Sequence, residues 1–372
     1  MSRRGLPIGR IFGISIDLDY SWFLIVGLLA WMLAVTYFPS RFPDWSPSEY
    51  WGVGLAAAVL LFASVLLHEL GHSVVAQRFG IPVPRITLFL FGGVAQIATD
   101  APTPGQEFWI SAAGPFTSLM LAALFWGIEP LVTPVQPLLA LARYLALINV
   151  ALAIFNLVPG YPLDGGRIFR AFLWKVTESR SHATVIAGLT GRFFGFVLIF
   201  WGIWQVLTGR PVNGIWIALI GWFVDRAAAS QIREEGARNL LRGHVVSEAM
   251  GKQFIEVPGD VTVQELASQT VQMPRLGPVI VTHDGVPEGM VTLGGVRATP
   301  AEAWPTTKVG QIMIPIQKLS TTRPDAVLWS ALEEMGRAGA TQLFVLDGDR
   351  VVGVLSRENI LHYLAGLRAA AA

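Results

Sequence analysis

The sequence predicts a polytopic α-helical membrane protein with six transmembrane helices, a small re-entrant β segment and a cytoplasmic α/β tail. The chain of 372 residues is 53% hydrophobic and only 14% charged, whereas soluble domains carry about 25% charged residues. The long apolar runs and most of the 13 tryptophans lie before residue 231. The remainder, 231–372, has the composition of a soluble protein and contains an internal duplication.

Six apolar runs are long enough to be membrane spans, since crossing about 30 Å of hydrocarbon takes roughly 20 residues. They are 21–38, 51–76, 108–128, 138–158, 186–207 and 213–229. Arg143 and Arg192 fall within two of these runs, where we expect them to snorkel or to pair inside the bundle.

Loop charges predict the orientation. With the N-terminus inside, the inner segments carry Arg3, Arg4, Arg10, Arg78, Arg85, Arg167, Arg170, Lys175 and Arg180. The outer segments carry only Arg41 and Arg210. By the positive-inside rule, both termini are cytoplasmic. The N-terminus shows neither a removable signal peptide nor an organelle-targeting segment, so we expect a multi-pass protein of a bacterial cell membrane.

The stretch IPVPRITLFLFGGVAQIATD (81–100), between the second and third spans, differs from its helical surroundings. Its β-branched and aromatic residues and its Gly-Gly pair predict a β-hairpin or a re-entrant strand segment. Non-helical backbone is tolerated at membrane depth only where it is buried in protein or lines a wet cavity. A solvated cytoplasmic hairpin is the alternative that these residues leave open.

Composition also limits the chemistry. The chain has no cysteine, which excludes disulfides and thiolate ligands. A formal net charge of +1 and the lack of a basic block give no argument for direct nucleic-acid binding.

The second span contains three ionisable side chains within five residues, His68, Glu69 and His72. A charge at the centre of a membrane helix costs roughly 2.5–3.5 kcal/mol on insertion scales, so such groups indicate function. Residues four apart share a helix face, and both imidazoles can therefore bind one metal ion. In this His-Glu-x-x-His pattern the histidines bind zinc and the glutamate acts as general base. The structural alternative is a pair of packing histidines beside a protonated acid.

A catalytic zinc ion takes three protein ligands, and Asp164 is the best candidate for the third. It lies in FNLVPGYPLDGGR (155–167), at the predicted cytoplasmic end of the fourth span. Prolines end that helix, Gly165 and Gly166 allow close backbone approach, and a carboxylate suits a site with two imidazoles. Taken alone, Asp164 is typical of a turn residue after a membrane helix. The incomplete zinc site on the same side of the membrane favours the interpretation of Asp164 as a metal ligand.

Together these motifs resemble the site-2 protease family of intramembrane zinc metalloproteases. The resemblance rests on HELGH (68–72) within a span and FNLVPGYPLDGGR several spans later, supported by FGGVAQ (91–96) and SAAGPFTS (111–118). It covers most of residues 10–230. It implies that His68, His72 and Asp164 bind one zinc ion and that Glu69 is the catalytic base.

The resemblance also implies how substrates are handled. Asn156 is expected to position the substrate or stabilise the oxyanion, and residues 86–97 are expected to pair with an unwound substrate as an added strand. Substrates would be single-span proteins such as an anti-sigma factor or a tethered regulator. They would be cut within the lipid bilayer to release a cytoplasmic fragment, as in regulated intramembrane proteolysis.

The tail contains a duplication with a period of about 64 residues. VSEAM (246–250) matches VGQIM (309–313), and two later segments align so that Gly289 matches Gly353. Each unit predicts a strand, an amphipathic helix and two strands around an Asp-Gly turn. The predicted domains are a six-span metalloprotease domain (1–230), a linker (231–242) and two repeats (243–303 and 304–368).

The duplication resembles a pair of CBS domains, a Bateman module. Such modules often bind an adenine nucleotide through a Ser/Thr followed three positions later by an acid. The second repeat has Ser356 with Asn359 in the acidic position, and the first has Thr292 with no acid. The resemblance leaves open whether the tail binds an adenine nucleotide, with Ser356 in the half-site, or is a dimerising or gating module without ligand.

The main alternative function is a CBS-gated ion transporter or channel whose path is lined by His68, Glu69 and Asp164. It accounts for ionisable groups in the membrane but not for their zinc-ligand spacing. An inactive scaffold is a third hypothesis, against which the intact His-Glu-x-x-His argues.

Overall fold

A computed structural model describes residues 5–90, 92–97, 99–271, 279–283, 286–348 and 350–371 of the protein. The chain divides into two compact units, Met1–Glu235 and Gly236–Ala372. The first unit is mainly helical with one small sheet, and the second is α/β.

Long helices make up most of the first unit. They are α1 (Tyr20–Met32, continued by a π-helical turn at Leu33–Tyr37), α2 (Pro47–Arg78), α3 (Pro104–Val132), α4 (Gln136–Asn156), α5 (Asp164–Thr177), α6 (Arg180–Leu207) and α7 (Pro211–Leu240). Among the described residues, six helices, all of these except α5, are long and apolar enough to cross a membrane. Each predicted span falls on one of them. That all six span a bilayer remains a prediction, because it rests on length and composition.

Helix α2, which carries the His-Glu-x-x-His motif, has a well-defined start. Ser46 is its N-cap and Glu49 its third residue, and their side chains bond each other's backbone N–H groups in a capping box. Pro47 occupies the first helical turn, where a missing N–H costs nothing. The helix then continues without a break to Arg78, so His68 and His72 lie in regular helix.

A four-stranded sheet packs beside α2, with strand order β1-β2-β3-β4. The strands are β1 (Gly5–Ile11), β2 (Ile14–Asp19), β3 (Arg85–Phe89) and β4 (Gly92–Gln96). Strands β2 and β3 are parallel, and the other pairs are antiparallel. The hairpin predicted within 81–100 is present as β3 and β4, while its depth in a membrane stays a prediction. Leu70 of α2 joins the strands' buried side chains in one hydrophobic cluster with Ile14, Ile16, Ile86 and Leu88.

The β1–β2 hairpin was not predicted from the sequence. Its turn is Phe12-Gly13, with both residues at positive φ. The turns of tight hairpins usually contain Asn-Gly or Asp-Gly in the sequence. Phe12-Gly13 lacks that pattern, and a bulky residue such as Phe rarely adopts positive φ.

The short helix α5 was also not predicted, because its segment was interpreted as a turn after the fourth span. Gly165 and Gly166 let its start pack closely against the preceding loop. A Cβ on Gly165 would lie 2.2 Å from the Leu157 carbonyl oxygen, and one on Gly166 would lie 2.2 Å from the Gly160 carbonyl carbon. The close approach expected of this glycine pair is therefore present, and Asp164 is the first residue of the helix.

The second unit consists of the two repeats. The first contains α8 (Val246–Ala249), β5 (Ile255–Pro258), α9 (Val263–Val271), β6 (Val279–His283), β7 (Val286–Val291) and α10 (Leu293–Ala298). The second contains α11 (Val309–Ile312), β8 (Ile314–Pro315), β9 (Thr321–Thr322), α12 (Leu328–Ala338), β10 (Gln342–Asp347), β11 (Arg350–Ser356) and α13 (Arg357–Ala371). The hairpins β6–β7 and β10–β11 correspond, each with a register irregularity at the same place.

The two repeats exchange their opening segments. Strand β8 of the second repeat pairs with β7 of the first, and Gly251 of the first bridges to Val354 of the second. The aligned glycines make room for this exchange. A Cβ on Gly289 would lie 2.4 Å from the Ile314 carbonyl oxygen, and one on Gly353 would lie 3.0 Å from the Gly251 carbonyl oxygen.

The predicted linker at 231–242 differs locally from the structure. Helix α7 runs through it to Leu240. The segment QIREEGARNL is rich in residues of high helix propensity, which explains why a polar sequence continues the helix. The predicted domain boundaries themselves stay predictions.

Candidate metal centre and active site

His68 and His72 lie one turn apart on α2 and face the same side. Both side chains are buried, at 3% and 7% exposure. Their Nε2 atoms are 3.2 Å apart. The helix thus presents two imidazole nitrogens to one point, as the four-residue spacing predicts, and their binding of a metal stays a prediction.

Asp164 joins the two histidines from the start of α5. Its Oδ2 lies 3.1 Å from His68 Nε2 and 3.2 Å from His72 Nε2. Among the described residues, these three form a group whose candidate ligand atoms all lie within 4.8 Å of one another. Two imidazole nitrogens and a carboxylate oxygen are a donor set typical of catalytic zinc.

Helix α3 holds both imidazoles by their second nitrogens. The Nδ1–H of His72 donates to the Ile110 carbonyl oxygen at 2.7 Å, and His68 Nδ1 is hydrogen-bonded to Ser118 Oγ at 2.9 Å. A carbonyl oxygen only accepts, so His72 carries its proton on Nδ1 and leaves Nε2 free. Such bonds to the outer nitrogen fix the orientation of metal-binding histidines.

The backbone of Gly114 on α3 lies close to both imidazoles. A Cβ at this position would lie 2.1 Å from His72 Nε2 and 2.6 Å from His68 Nε2. Only glycine leaves this space open, so the residues present fit a metal ion held by His68, His72 and Asp164.

Glu69 is half-buried beside the cluster. Strand β4 approaches it closely, since a Cβ on Gly93 would lie 2.5 Å from Glu69 Cγ. Among the described residues its carboxylate has no hydrogen-bond partner, which leaves it free to take a proton. The Glu69 side chain thus lies against β4, the last strand in the sheet order, next to His68 on α2.

The chain matches known proteins over almost its full length. The model of peptidase family M50 matches residues 56–136 and 131–200, and the CBS domain model matches 246–299 and 309–366. The zinc metalloprotease Rip3 of Mycobacterium tuberculosis is 36% identical over 363 residues, which cover 96% of this chain and 92% of that protein. The chain belongs to peptidase family M50.

Further relatives of this M50 peptidase are similar over comparable lengths. A zinc metalloprotease of Synechocystis is 34% identical over 368 residues, which cover 96% of this chain and 95% of that protein. The solved site-2 protease from Methanocaldococcus jannaschii is 28% identical with a TM-score of 0.43, covering 61% of this chain and 95% of that one. The resemblance to site-2 proteases is confirmed: the chain is a multi-pass membrane zinc metalloprotease with two CBS domains.

The structure places the predicted Asn156 at the end of α4, half-buried. The carbonyl groups of the next two residues, Leu157 and Val158, pack against Gly165, the neighbour of Asp164. Asn156 therefore directly precedes the loop that packs against the start of α5, where Asp164 lies. Its role toward substrate stays a prediction.

In the M50 peptidase's tail, the predicted Ser356 is the last residue of β11 and directly precedes α13. Its hydroxyl donates to Asn359 Oδ1 at 2.6 Å and accepts from the Asn359 backbone N–H at 3.1 Å. This is a helix-capping arrangement, and it occupies the hydroxyl that the resemblance assigns to a ribose. Thr292 caps α10 in the same way through the Gly295 backbone N–H at 3.1 Å.

Sequence reasoning did not assign roles to Ile110, Gly114 and Ser118, although SAAGPFTS was noted as similar to the family. A weak signal was present, because the glycine and the second serine share a helix face within an apolar run. Their function depends on the distance between α2 and α3, which no local pattern encodes.

Proposed function

We propose that His68, His72 and Asp164 hold one zinc ion and that Glu69 is the general base for peptide hydrolysis within the membrane. The observation that carries this proposal is the convergence of three ligand atoms from two helices, with Asp164 Oδ2 at 3.1 and 3.2 Å from the two Nε2 atoms. Residues so far apart in sequence meet here because α5 is packed against the loop after α4.

The chemistry follows from these positions. When bound, zinc supplies Lewis acidity, polarising the scissile carbonyl and making water acidic enough to lose a proton near neutral pH. Glu69 takes that proton on its carboxylate and passes it to the leaving amine. Ile110 and Ser118 keep the imidazoles in the tautomer and orientation that ligation needs.

The proposed substrate is the transmembrane segment of a single-span protein, such as an anti-sigma factor or a tethered regulator. A helical substrate must unwind, because its peptide carbonyls are hydrogen-bonded within the helix. Strand β4 supports pairing with the unwound segment. It is the last strand in the sheet order, and Gly93 brings it against Glu69. An added strand there would lie beside the catalytic carboxylate, and we assign Asn156 to holding the substrate or its oxyanion.

We also propose that all six apolar helices span the membrane, with both termini in the cytoplasm. The arginine and lysine residues of the inner loops support this orientation. It would release the cleaved fragment on the side of the CBS tail.

Metal content tests the zinc site. We expect about one zinc per chain in the purified wild type and little in His68→Ala or Asp164→Ala, because two ligands hold zinc far more weakly than three. Mass spectrometry of the three proteins measures this. His182→Ala is the matched control, since His182 lies outside the cluster, and it should retain the metal. A folded, chelator-free wild type without zinc would contradict the proposal.

For the tail, we propose Ser356 as the ribose contact of an adenine-nucleotide half-site. The resemblance of the segment from Gly353 to Ser356 to nucleotide-binding CBS domains supports this. Nucleotide binding would replace the hydrogen bond between the Ser356 hydroxyl and Asn359 with one to the ligand. We also propose that this tail, which matches the CBS domain model twice, forms the contact of a homodimer.

Calorimetry on the full-length protein tests the nucleotide site. We expect AMP or ATP to release heat with the wild type and none with Ser356→Ala. Thr292→Ala is the matched control, because it also removes a helix cap, worth about 1 kcal/mol, and it should bind like the wild type. Absence of heat with every adenine nucleotide in the wild type would refute the half-site.

A further inference from the structure

A buried ion pair joins helices α3 and α5. Glu107 and Arg170 are only 3% and 6% exposed. Arg170 donates from Nε to Glu107 Oε1 at 2.6 Å and also from Nη2 to the same oxygen. The other carboxylate oxygen, Oε2, is buried without a hydrogen-bond partner among the described residues. Among the described residues, the Arg170 guanidinium is therefore the hydrogen-bond partner of the Glu107 carboxylate.

Arg170 is held on its other sides as well. Its Nη1 donates to Thr184 Oγ1 of α6 at 3.4 Å, and its guanidinium lies 5.2 Å from the centre of the Tyr161 ring. Burial raises the pKa of Tyr161 to about 12, so the phenol is neutral and adds no competing charge. The sequence analysis counted Arg170 among the charges of an inner segment, and the structure places its side chain inside the protein.

Glu107 lies on the same face of α3 as the groups that hold the histidines. Glu107, Ile110, Gly114 and Ser118 follow one another at helical spacing. Ile110 and Ser118 contact the two imidazoles, and Gly114 leaves space for the metal. Glu107 binds the helix that begins with Asp164. One face of α3 is thus in contact with both histidine ligands and with the element carrying the third.

We propose that Glu107 and Arg170 are positioning residues that set α5 against α3, so that Asp164 meets His68 and His72. A buried ion pair is weak as a source of stability, and its best-attested role is to specify one arrangement of packed elements. The guanidinium fork is directional and always charged, which suits fixing a short helix. Without Glu107, the apolar contacts of α5 would still bury it but would not fix its position along α3.

This inference rests on the proposed three-ligand zinc site, and the affinity of the full-length protein for zinc tests it. We expect Glu107→Gln to weaken zinc binding by about 10–100-fold, as changes around metal ligands do. Competition with a chelator measures the affinity, and saturating zinc should restore the bound metal. Asp225→Asn is the matched control, because Asp225 pairs with Arg192 at 2.8 Å between α6 and α7. It should bind zinc like the wild type.

A double-mutant cycle separates positioning from general damage. If Glu107 acts through Asp164, Glu107→Gln should change zinc affinity less than about twofold when Asp164→Asn is already present. Ser118→Ala acts through His68, so it should keep its full effect in the same background. Should Glu107→Gln fail to fold, Arg170→Lys, which keeps the charge but loses the fork, takes its place in the cycle.

The outcomes distinguish the two proposals. A wild type that binds no zinc would refute the metal centre itself. Zinc binding that Asp164→Asn weakens and Glu107→Gln leaves unchanged would refute only the positioning role. An effect of Glu107→Gln that persists undiminished beside Asp164→Asn would also refute it, because Glu107 would then act elsewhere.

Discussion

Replacing Glu69 with alanine or glutamine should leave about one zinc per chain and lower peptide cleavage by about 10²–10⁴-fold, the usual contribution of a positioned general base. The metal should remain because the three proposed ligand atoms come from other residues. Cleavage should fail because Asp164, the carboxylate within the cluster, is committed to the metal and cannot replace Glu69 as the base. Glutamine keeps the shape of Glu69, so its effect isolates the loss of proton transfer.

This expectation is measured by cleavage of a single-span substrate in detergent or liposomes, with the metal content determined on the same preparation. Asp225→Asn is again the control, since it removes a carboxylate from another helix of the same unit. Proteolysis retained in both Glu69 variants would overturn the assignment of the base. Loss of zinc in Glu69→Gln would show instead that Glu69 supports the metal site.

Replacing Gly114 with alanine should remove both zinc and activity. The new methyl group would lie 2.1 Å from His72 Nε2 and 2.6 Å from His68 Nε2, so the imidazoles must turn away or α3 must retreat. Either movement breaks the bonds to Ile110 or Ser118. We expect zinc affinity to fall at least about 100-fold, the upper end of the effects seen around metal ligands.

Gly127→Ala provides the matched control on the same helix. A Cβ at Gly127 meets nothing within 4 Å, and alanine is the better helix former. This variant should bind zinc like the wild type and melt at the same or a higher temperature. Equal zinc contents in the Gly114 and Gly127 variants would mean that the site can relax around a methyl group.

Sequence patterns predicted those features of the molecule that depend on residues close together in the chain. The six apolar helices follow from run length alone, and the pairing of His68 with His72 follows from the period of a helix. The hairpin near Gly93 follows from its strand formers and glycine pair. In each case the residues that carry the signal are neighbours in sequence.

The remaining features depend on approach between distant segments. Asp164 could be proposed as a ligand only because the predicted zinc site lacked one and the surrounding motif resembled a family. The roles of Gly114 and Glu107 need the distance from α3 to α2 and to α5, which the sequence does not contain. Glu107 was further hidden by its place at the edge of an apolar run, where an acid is ordinary.

The exchange of opening segments between the CBS repeats bears on how this chain is synthesised. The ribosome delivers the first repeat before the second, and until Ile314 and Pro315 emerge, β7 is paired with β6 on one side only. An open strand edge is a template for pairing with other chains. The nascent first repeat therefore keeps an unpaired strand edge until the second repeat is made. A chain that stops between the repeats would be prone to aggregation. The two repeats are thus joined by shared strand pairing and are not two separable modules.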